Sequence, residues 1–163
     1  MTKWMNAMMG LDGEGDAKGQ PLAQPAAGPC ILVVDDSPAI RRVVARALTD
    51  ARYEVLEAED GVLALQILEC GGADIDLVLT DIKMPRLDGL ELGRRIAARK
   101  WRVPVLYMSG GLGDPIVADG VGAPVAPLLR KPFSMGTLVD IVDRVLLGRR
   151  ARQPALEERP APA

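Results

Sequence analysis

Polar residues that can do chemistry stand near the ends of four short apolar runs of the chain: Asp35 and Asp36, Asp81, Ser109, and Lys131. Two carboxylates about 4 Å apart repel each other by roughly 4 kcal/mol at an effective dielectric constant of 20. Three carboxylates brought together therefore need a cation among them, and their hard oxygen ligands suit Mg²⁺. A lysine at the same place can pair with a carboxylate or with an arriving phosphoryl group, and a serine hydroxyl can donate a hydrogen bond to a phosphoryl oxygen.

The absence of histidine narrows this chemistry. The 163 residues contain none, which excludes Ser-His-Asp and Cys-His catalysis, histidine-ligated metals and phosphotransfer through a histidine of its own. The two cysteines, Cys30 and Cys70, have neither metal spacing nor a disulfide framework, and we expect two buried thiols in a reduced protein. The nucleophile that remains is a carboxylate, as in aspartyl-phosphate chemistry.

The ends of the chain differ in composition from its middle. Glycine, proline and charged residues dominate both ends, so we predict a flexible N-terminal leader over residues 1–28, a folded domain over 29–149 and a flexible C-terminal tail over 150–163. No apolar run approaches the ~18 residues that cross a bilayer, and no signal-peptide pattern is present. We therefore expect a cytoplasmic protein without membrane contacts.

Strand and helix patterns alternate between these ends. Strands are predicted over residues 31–34, 53–58, 76–80, 103–108 and 128–129, and helices from Pro38 and over 60–68, 90–97 and 134–147. Ser37 before Pro38 predicts a capping hydroxyl ahead of the first helix. The core-facing stripe of that helix is predicted to consist of Ile40, Val43, Val44, Ala47 and Leu48.

This alternation predicts an α/β fold, a doubly wound, five-stranded parallel sheet with helices on both faces. In such sheets ligands bind beyond the carboxyl ends of the strands, so we expect the polar residues named above to meet at one edge. Glycines and prolines crowd the segment between Ser109 and Lys131, so the fourth helix is predicted to be short or irregular, around residues 115–119.

Five short motifs follow one another along the chain: Val33-Val34-Asp35-Asp36, Thr80-Asp81-Ile82-Lys83-Met84-Pro85, Asp88-Gly89, Met108-Ser109-Gly110 and Lys131-Pro132-Phe133. In this order and spacing they resemble the receiver domain of two-component response regulators, of the single-domain type. The resemblance covers about residues 29–149 and implies the flavodoxin-like receiver fold.

The resemblance implies a role for each matching residue. Asp81 would be the phosphorylation site, accepting a phosphoryl group from a partner's phosphohistidine, while Ser109 and Lys131 would bind that group. Mg²⁺ would be held by Asp35, Asp36, Asp81 and the backbone carbonyl of Lys83. The Lys131–Pro132 peptide bond would be cis.

One position departs from the family pattern. The residue three positions before the lysine is usually aromatic and takes part in the switch, and here it is Leu128. We therefore do not expect an aromatic-coupled switch of the usual form.

The implied partners are a sensor histidine kinase or a histidine phosphotransfer protein, and a downstream protein target reached in a two-component system or phosphorelay. Because the tail is short and the net charge is −2, we expect no direct DNA binding. A homodimer through the last helix or the segment before it stays open. We expect a protein that phosphorylates and dephosphorylates itself but is not a turnover enzyme.

Two other classes are weighed against this interpretation. A phosphatase of the haloacid dehalogenase type also uses an aspartyl nucleophile, but it needs a second aspartate two residues later, where this chain has Lys83. The other alternative is a phosphorylation-independent binding module with the receiver fold. The intact set of acidic residues, Ser109 and Lys131 argues against that module.

Overall fold

The computed structural model describes residues 28–71, 74–111 and 127–152. The strands are β1 (Cys30–Val34), β2 (Glu54–Ala58), β3 (Leu77–Asp81), β4 (Val105–Ser109) and β5 (Leu128–Arg130). The helices of the described residues are α1 (Pro38–Asp50), α2 (Gly61–Gly71), α3 (Gly89–Ala98) and α4 (Met135–Arg152). None of these helices is long and apolar enough to cross a membrane.

The strands form one parallel sheet in the order β2-β1-β3-β4-β5. Consecutive residues of a strand point to opposite faces, and both faces of β1 and β3 are buried, which explains their continuous apolar sequences. Alternate strand residues such as Ile31, Val33, Leu77 and Leu79 pack against α1 and α4. The other face packs against α2 and α3. The predicted doubly wound sheet is thereby confirmed.

The first helix differs from its prediction in two respects. Val43 is 55% exposed, because the buried stripe is centred one position later, on Val44, Ala45 and Leu48. Pro38 does open the helix, but the Ser37 side chain makes no capping hydrogen bond. Instead, the backbone N–H of Ser37 donates to Asp35 Oδ1 at 2.9 Å, so the aspartate organises this turn.

The prediction of two buried thiols is right for one cysteine only. Cys30 opens β1 and is buried, and burial raises the pKa of its thiol to about 11. Cys70 is exposed near the end of α2, because the core-facing side of that helix is taken by Leu65 and Leu68.

Some predictions fall outside the described residues. These are the leader up to residue 27, the short fourth helix around residues 115–119, and the tail beyond Arg152. The boundaries of the folded domain stay predictions.

Candidate functional site

The carboxyl ends of four strands carry the polar residues singled out above. Asp35 directly follows β1, Asp81 ends β3, Ser109 ends β4, and Lys131 directly follows β5. Because all strands run in parallel, these ends lie at the same edge of the sheet.

Lys131 joins two of the acidic residues. Its Nζ lies 2.9 Å from Asp35 Oδ2 and 2.8 Å from Asp81 Oδ1. The side chain of Asp35 is 1% exposed, that of Asp81 13% and that of Lys131 20%. The positive charge of the ammonium therefore offsets the repulsion between the partly buried carboxylates of Asp35 and Asp81.

Burial and pairing set the ionisation of this group. Burial raises the pKa of Asp81 above its ordinary 3.8, and the negative charge of Asp35 adds to this, although the hydrogen bond and charge of Lys131 act in the opposite direction. Burial alone lowers the pKa of Lys131, but its hydrogen bonds to Asp81 and Asp35 outweigh that effect and raise it above 10.5. Lys131 is thus held in its charged form.

Two further hydrogen bonds fix Asp81 from the other side. The loop that follows Asp81, here called the acceptor loop (residues 82–88), turns so that the N–H of Lys83 donates to Asp81 Oδ2 at 3.2 Å. Thr80, which is buried, donates from its hydroxyl to the Asp81 carbonyl at 2.9 Å. Each carboxylate oxygen of Asp81 therefore has a donor of its own.

Gly89 closes the acceptor loop by close packing. Its N–H donates to the carbonyl of Ile82 at 3.0 Å. A Cβ at this position would lie 2.1 Å from the carbonyl oxygen of Asp81, so no other residue fits without moving β3 or α3. The start of α3 is thereby pressed onto the strand that carries the acceptor.

Ser109 is buried beside these groups. It is 4% exposed, and its backbone carbonyl accepts a hydrogen bond from the N–H of Lys131 at 2.7 Å. The Lys131–Pro132 peptide bond is cis, as the resemblance implied. The end of β4 therefore fixes the backbone of Lys131 through this hydrogen bond.

Asp36 and Lys83 line an open pocket of about 540 Å³ next to this cluster. Asp36 is exposed there, whereas its neighbour Asp35 is buried. Within the part of the chain that the structure describes, no three acidic or cysteine side chains gather closely enough to form a ready-made metal site. Asp36 at the pocket and Asp35 and Asp81 beside it nevertheless supply carboxylate oxygens, the ligands that Mg²⁺ prefers, and their three negative charges exceed the two positive charges of Lys131 and Lys83.

Two residues next to the site carried no signal in the sequence. Arg41 on α1 donates from Nη1 to the carbonyl of Asp35 at 2.6 Å, and its Nε lies 3.3 Å from Glu57 Oε2. Thr80 was included only as part of a motif. Arg41 lies on the stripe that the structure buries, three, four and seven positions before Val44, Ala45 and Leu48, but outside the stripe predicted from the sequence, so the prediction missed it.

Leu128, which stands where the family usually has an aromatic residue, lies next to an aromatic residue of the neighbouring strand. In the register of β4 and β5, Leu128 is paired with Tyr107. Tyr107 is 5% exposed and its hydroxyl lies against Gly93 on α3, where a Cβ would be 1.9 Å away. Burial raises the pKa of Tyr107, so the phenol stays neutral.

The protein is thus an α/β protein with an open parallel sheet, and acidic residues and a lysine meet at the carboxyl edge of that sheet. Comparison with known proteins identifies the family. The sequence model of the response regulator receiver domain matches residues 31–143. This chain belongs to that family.

Individual relatives agree with this. Chemotaxis protein CheY1 of Helicobacter pylori is 35% identical over 119 residues, which cover 71% of this chain and 95% of CheY1. The sensor kinase CckA of Brucella abortus is 34% identical over 116 residues, 71% of this chain but 12% of CckA. The crystal structure of a response regulator receiver domain protein from Clostridium thermocellum superposes with a TM-score of 0.69 at 28% identity, covering 77% of this chain and 99% of that one.

Proposed function

We propose that this receiver accepts a phosphoryl group on Asp81 from a phosphohistidine of a partner protein. The observation that carries this proposal is the donor arrangement around one carboxylate: Lys131 at 2.8 Å from Oδ1 and the Lys83 N–H at 3.2 Å from Oδ2. An Asp81 oxygen forms the new bond to phosphorus while the bond from phosphorus to the histidine nitrogen breaks.

The residues of the site have distinct roles in this step. The ammonium of Lys131 neutralises charge on the phosphoryl oxygens, and the Ser109 hydroxyl donates a hydrogen bond to one of them. Asp36, Asp81 and the backbone carbonyl of Lys83 would hold Mg²⁺, with Asp35 behind them. When bound, the cation supplies neutralisation of the phosphoryl oxygens.

The kind of partner follows from this chemistry. The donor is a sensor histidine kinase or a histidine phosphotransfer protein, and the phosphorylated form acts on a downstream protein. The names of two relatives, a sensor kinase and a chemotaxis protein, support a place in two-component signalling. The protein is regenerated by loss of its own phosphoryl group and does not turn over a small substrate.

Labelling with acetyl phosphate tests the proposal. Wild type should become phosphorylated when Mg²⁺ is present and not when it is chelated, and D81N should stay unlabelled. D50N is a matched control, because Asp50 lies exposed at the end of α1, where it pairs with the likewise exposed Arg46. Labelling of D81N equal to wild type would move the acceptor elsewhere.

The same preparation separates the two alternatives. A phosphorylation-independent module would show no labelling of wild type at all. A phosphatase of the dehalogenase type would release many equivalents of phosphate from small phosphate esters, whereas a receiver should show no turnover of such esters beyond its own single phosphorylation.

A further inference from the structure

The acceptor loop is tied to the start of α2 by one arginine. Nη2 of Arg86 lies 2.8 Å from Glu59 Oε1 and also pairs with Asp60 Oδ2. Glu59 and Asp60 lie between β2 and α2. In the sheet, β1 separates β2 from β3, the strand that ends at Asp81. The pairs therefore connect the loop that follows Asp81 with a different part of the fold.

Asp60 makes this connection more than a surface contact. Its side chain is 0% exposed, and its Oδ1 accepts the N–H of Leu63 at 2.8 Å in the first turn of α2. Among the described residues, Oδ2 of Asp60 accepts no hydrogen bond of ordinary geometry, and Arg86 supplies its counter-charge. A buried carboxylate that loses its cationic partner is strongly unfavourable, so Arg86 is held firmly where it is.

The backbone at Arg86 needs such support. Its φ is 64°, in the left-handed region that residues with a side chain rarely adopt. The N–H of Leu87 donates to the carbonyl of Pro85 at 2.8 Å, which closes a three-residue γ-turn of the rare, strained hand around Arg86. Strained backbone persists only where surrounding contacts fix it, and the pairs with Glu59 and Asp60 are such contacts.

A backbone hydrogen bond also joins the acceptor loop to the start of α2. The N–H of Gly61 donates to the carbonyl of Leu87 at 3.2 Å, and a Cβ at Gly61 would lie 2.7 Å from that oxygen. The acceptor loop therefore rests directly on the first residue of α2, next to the ion pairs.

We propose that Arg86 is a positioning residue for the phosphoryl site. By pairing with Glu59 and Asp60 it holds the acceptor loop in the strained turn, and the loop in turn presents the backbone of Lys83 to Asp81 and to the cation. The part of this proposal that concerns the cation rests on the function proposed above, while the part that concerns the loop does not.

Amide hydrogen exchange tests the effect on the loop. In R86A we expect exchange at Leu87 and Lys83 to be about tenfold faster than in wild type, with Leu79 in the central strand unchanged. R86K should restore most of the protection. R86G should remain fast, because glycine accepts the positive φ but cannot form the pairs. R46A removes an exposed arginine of α1 as a control and should exchange like wild type.

Calorimetric titration with Mg²⁺ tests whether loss of the Arg86 pairs weakens cation binding at the site. R86A should bind Mg²⁺ about three- to tenfold more weakly than wild type and R46A, and R86K should lie close to wild type. D60N provides a second route if R86A does not fold, because asparagine keeps the cap of α2 and removes the charge. It should weaken Mg²⁺ binding in the same direction.

The outcomes distinguish the two proposals. If wild type neither binds Mg²⁺ nor is labelled, the proposed function fails, and the exchange data still decide the role of Arg86 in the loop. If wild type is active but R86A and D60N exchange and bind like wild type, the positioning role is overturned.

Discussion

Lys131 reaches Asp81 across the end of an intervening strand. Their side chains lie 2.8 Å apart, although β4 separates β5 from β3 in the sheet. The lysine therefore crosses the end of β4 to reach Asp81, and one ammonium serves carboxylates that follow β1 and end β3.

Removing this ammonium should change cation binding in a definite direction. K131M takes one positive charge from a pocket of carboxylates, so Mg²⁺ should bind about tenfold more tightly than in wild type. The yield of acetyl-phosphate labelling should fall, because the phosphoryl oxygens lose their cationic partner. Calorimetric titration and labelling of the same sample measure both quantities.

K131R is the matched control for this change, because it keeps the charge. It should bind Mg²⁺ with nearly the wild-type affinity. Equal Mg²⁺ affinity of K131M and wild type would show that Lys131 exerts no electrostatic effect on the cation site.

Replacing the acceptor should stabilise the fold at neutral pH. The pKa of Asp81 is higher in the folded protein than its ordinary 3.8, so between 3.8 and the raised pKa the folded state binds more protons than the unfolded chain, and stability falls as the pH rises through that interval. D81N removes this loss. The variant should have the higher free energy of unfolding at neutral pH, with the difference shrinking as the pH falls towards 3.8.

Urea unfolding at several pH values measures this difference. D50N serves as control, since it makes the same change at an exposed carboxylate far from Lys131. A D81N variant less stable than wild type at neutral pH would mean that the pair with Lys131 outweighs the burial of the carboxylate.

The side chain of Lys83 should tune the lifetime of the phosphorylated form. It is exposed at the open pocket beside Asp81, where it would restrict access of the water that hydrolyses an acyl phosphate. K83A should lose its phosphoryl group faster, by about threefold, or roughly 0.7 kcal/mol in the barrier. Decay of radiolabelled protein after removal of acetyl phosphate gives the half-lives, and identical values for K83A and wild type would refute the idea.

The close contact between Gly93 of α3 and Tyr107 of β4 should make any side chain at position 93 destabilising. G93A places a methyl group 1.9 Å from the hydroxyl position of Tyr107, so we expect a loss of about 2 kcal/mol in the free energy of unfolding. G148A has nothing within 4 Å and should gain about 0.5 to 1 kcal/mol from helix propensity alone. Chemical denaturation compares the two.

A double substitution identifies the cause of that loss. In the background Y107F the hydroxyl is gone, so G93A should cost less than about 1 kcal/mol. If G93A costs the same with and without the hydroxyl, the contact with Tyr107 is not what excludes a side chain at Gly93.

The fold could be predicted because its local signals agree with one another. Continuous apolar runs and helical stripes alternate along the chain, and parallel connections leave few ways to combine them. The same reasoning placed Asp35, Asp81, Ser109 and Lys131 at one edge, since that requires only the strand ends.

Finer features depended on information that no local pattern contains. Asp35 and Asp36 look alike in the sequence, yet successive residues leaving a strand point to opposite sides, so one is buried and the other exposed. Val43 was misassigned because a periodic stripe does not determine how the helix is rotated on the sheet. The pairing of Arg86 with Asp60 joins residues that only the tertiary fold brings together.

The double pairing of Lys131 also bears on the timing of signalling. In the resting protein the ammonium belongs to Asp35 and Asp81, and a phosphoryl group on Asp81 would claim the same ammonium. The phosphoryl group carries more negative charge than the carboxylate it replaces, so its arrival would draw the ammonium towards it and weaken the pair between Lys131 and Asp35. The position of the lysine would then tell the helix that follows it whether Asp81 carries a phosphoryl group.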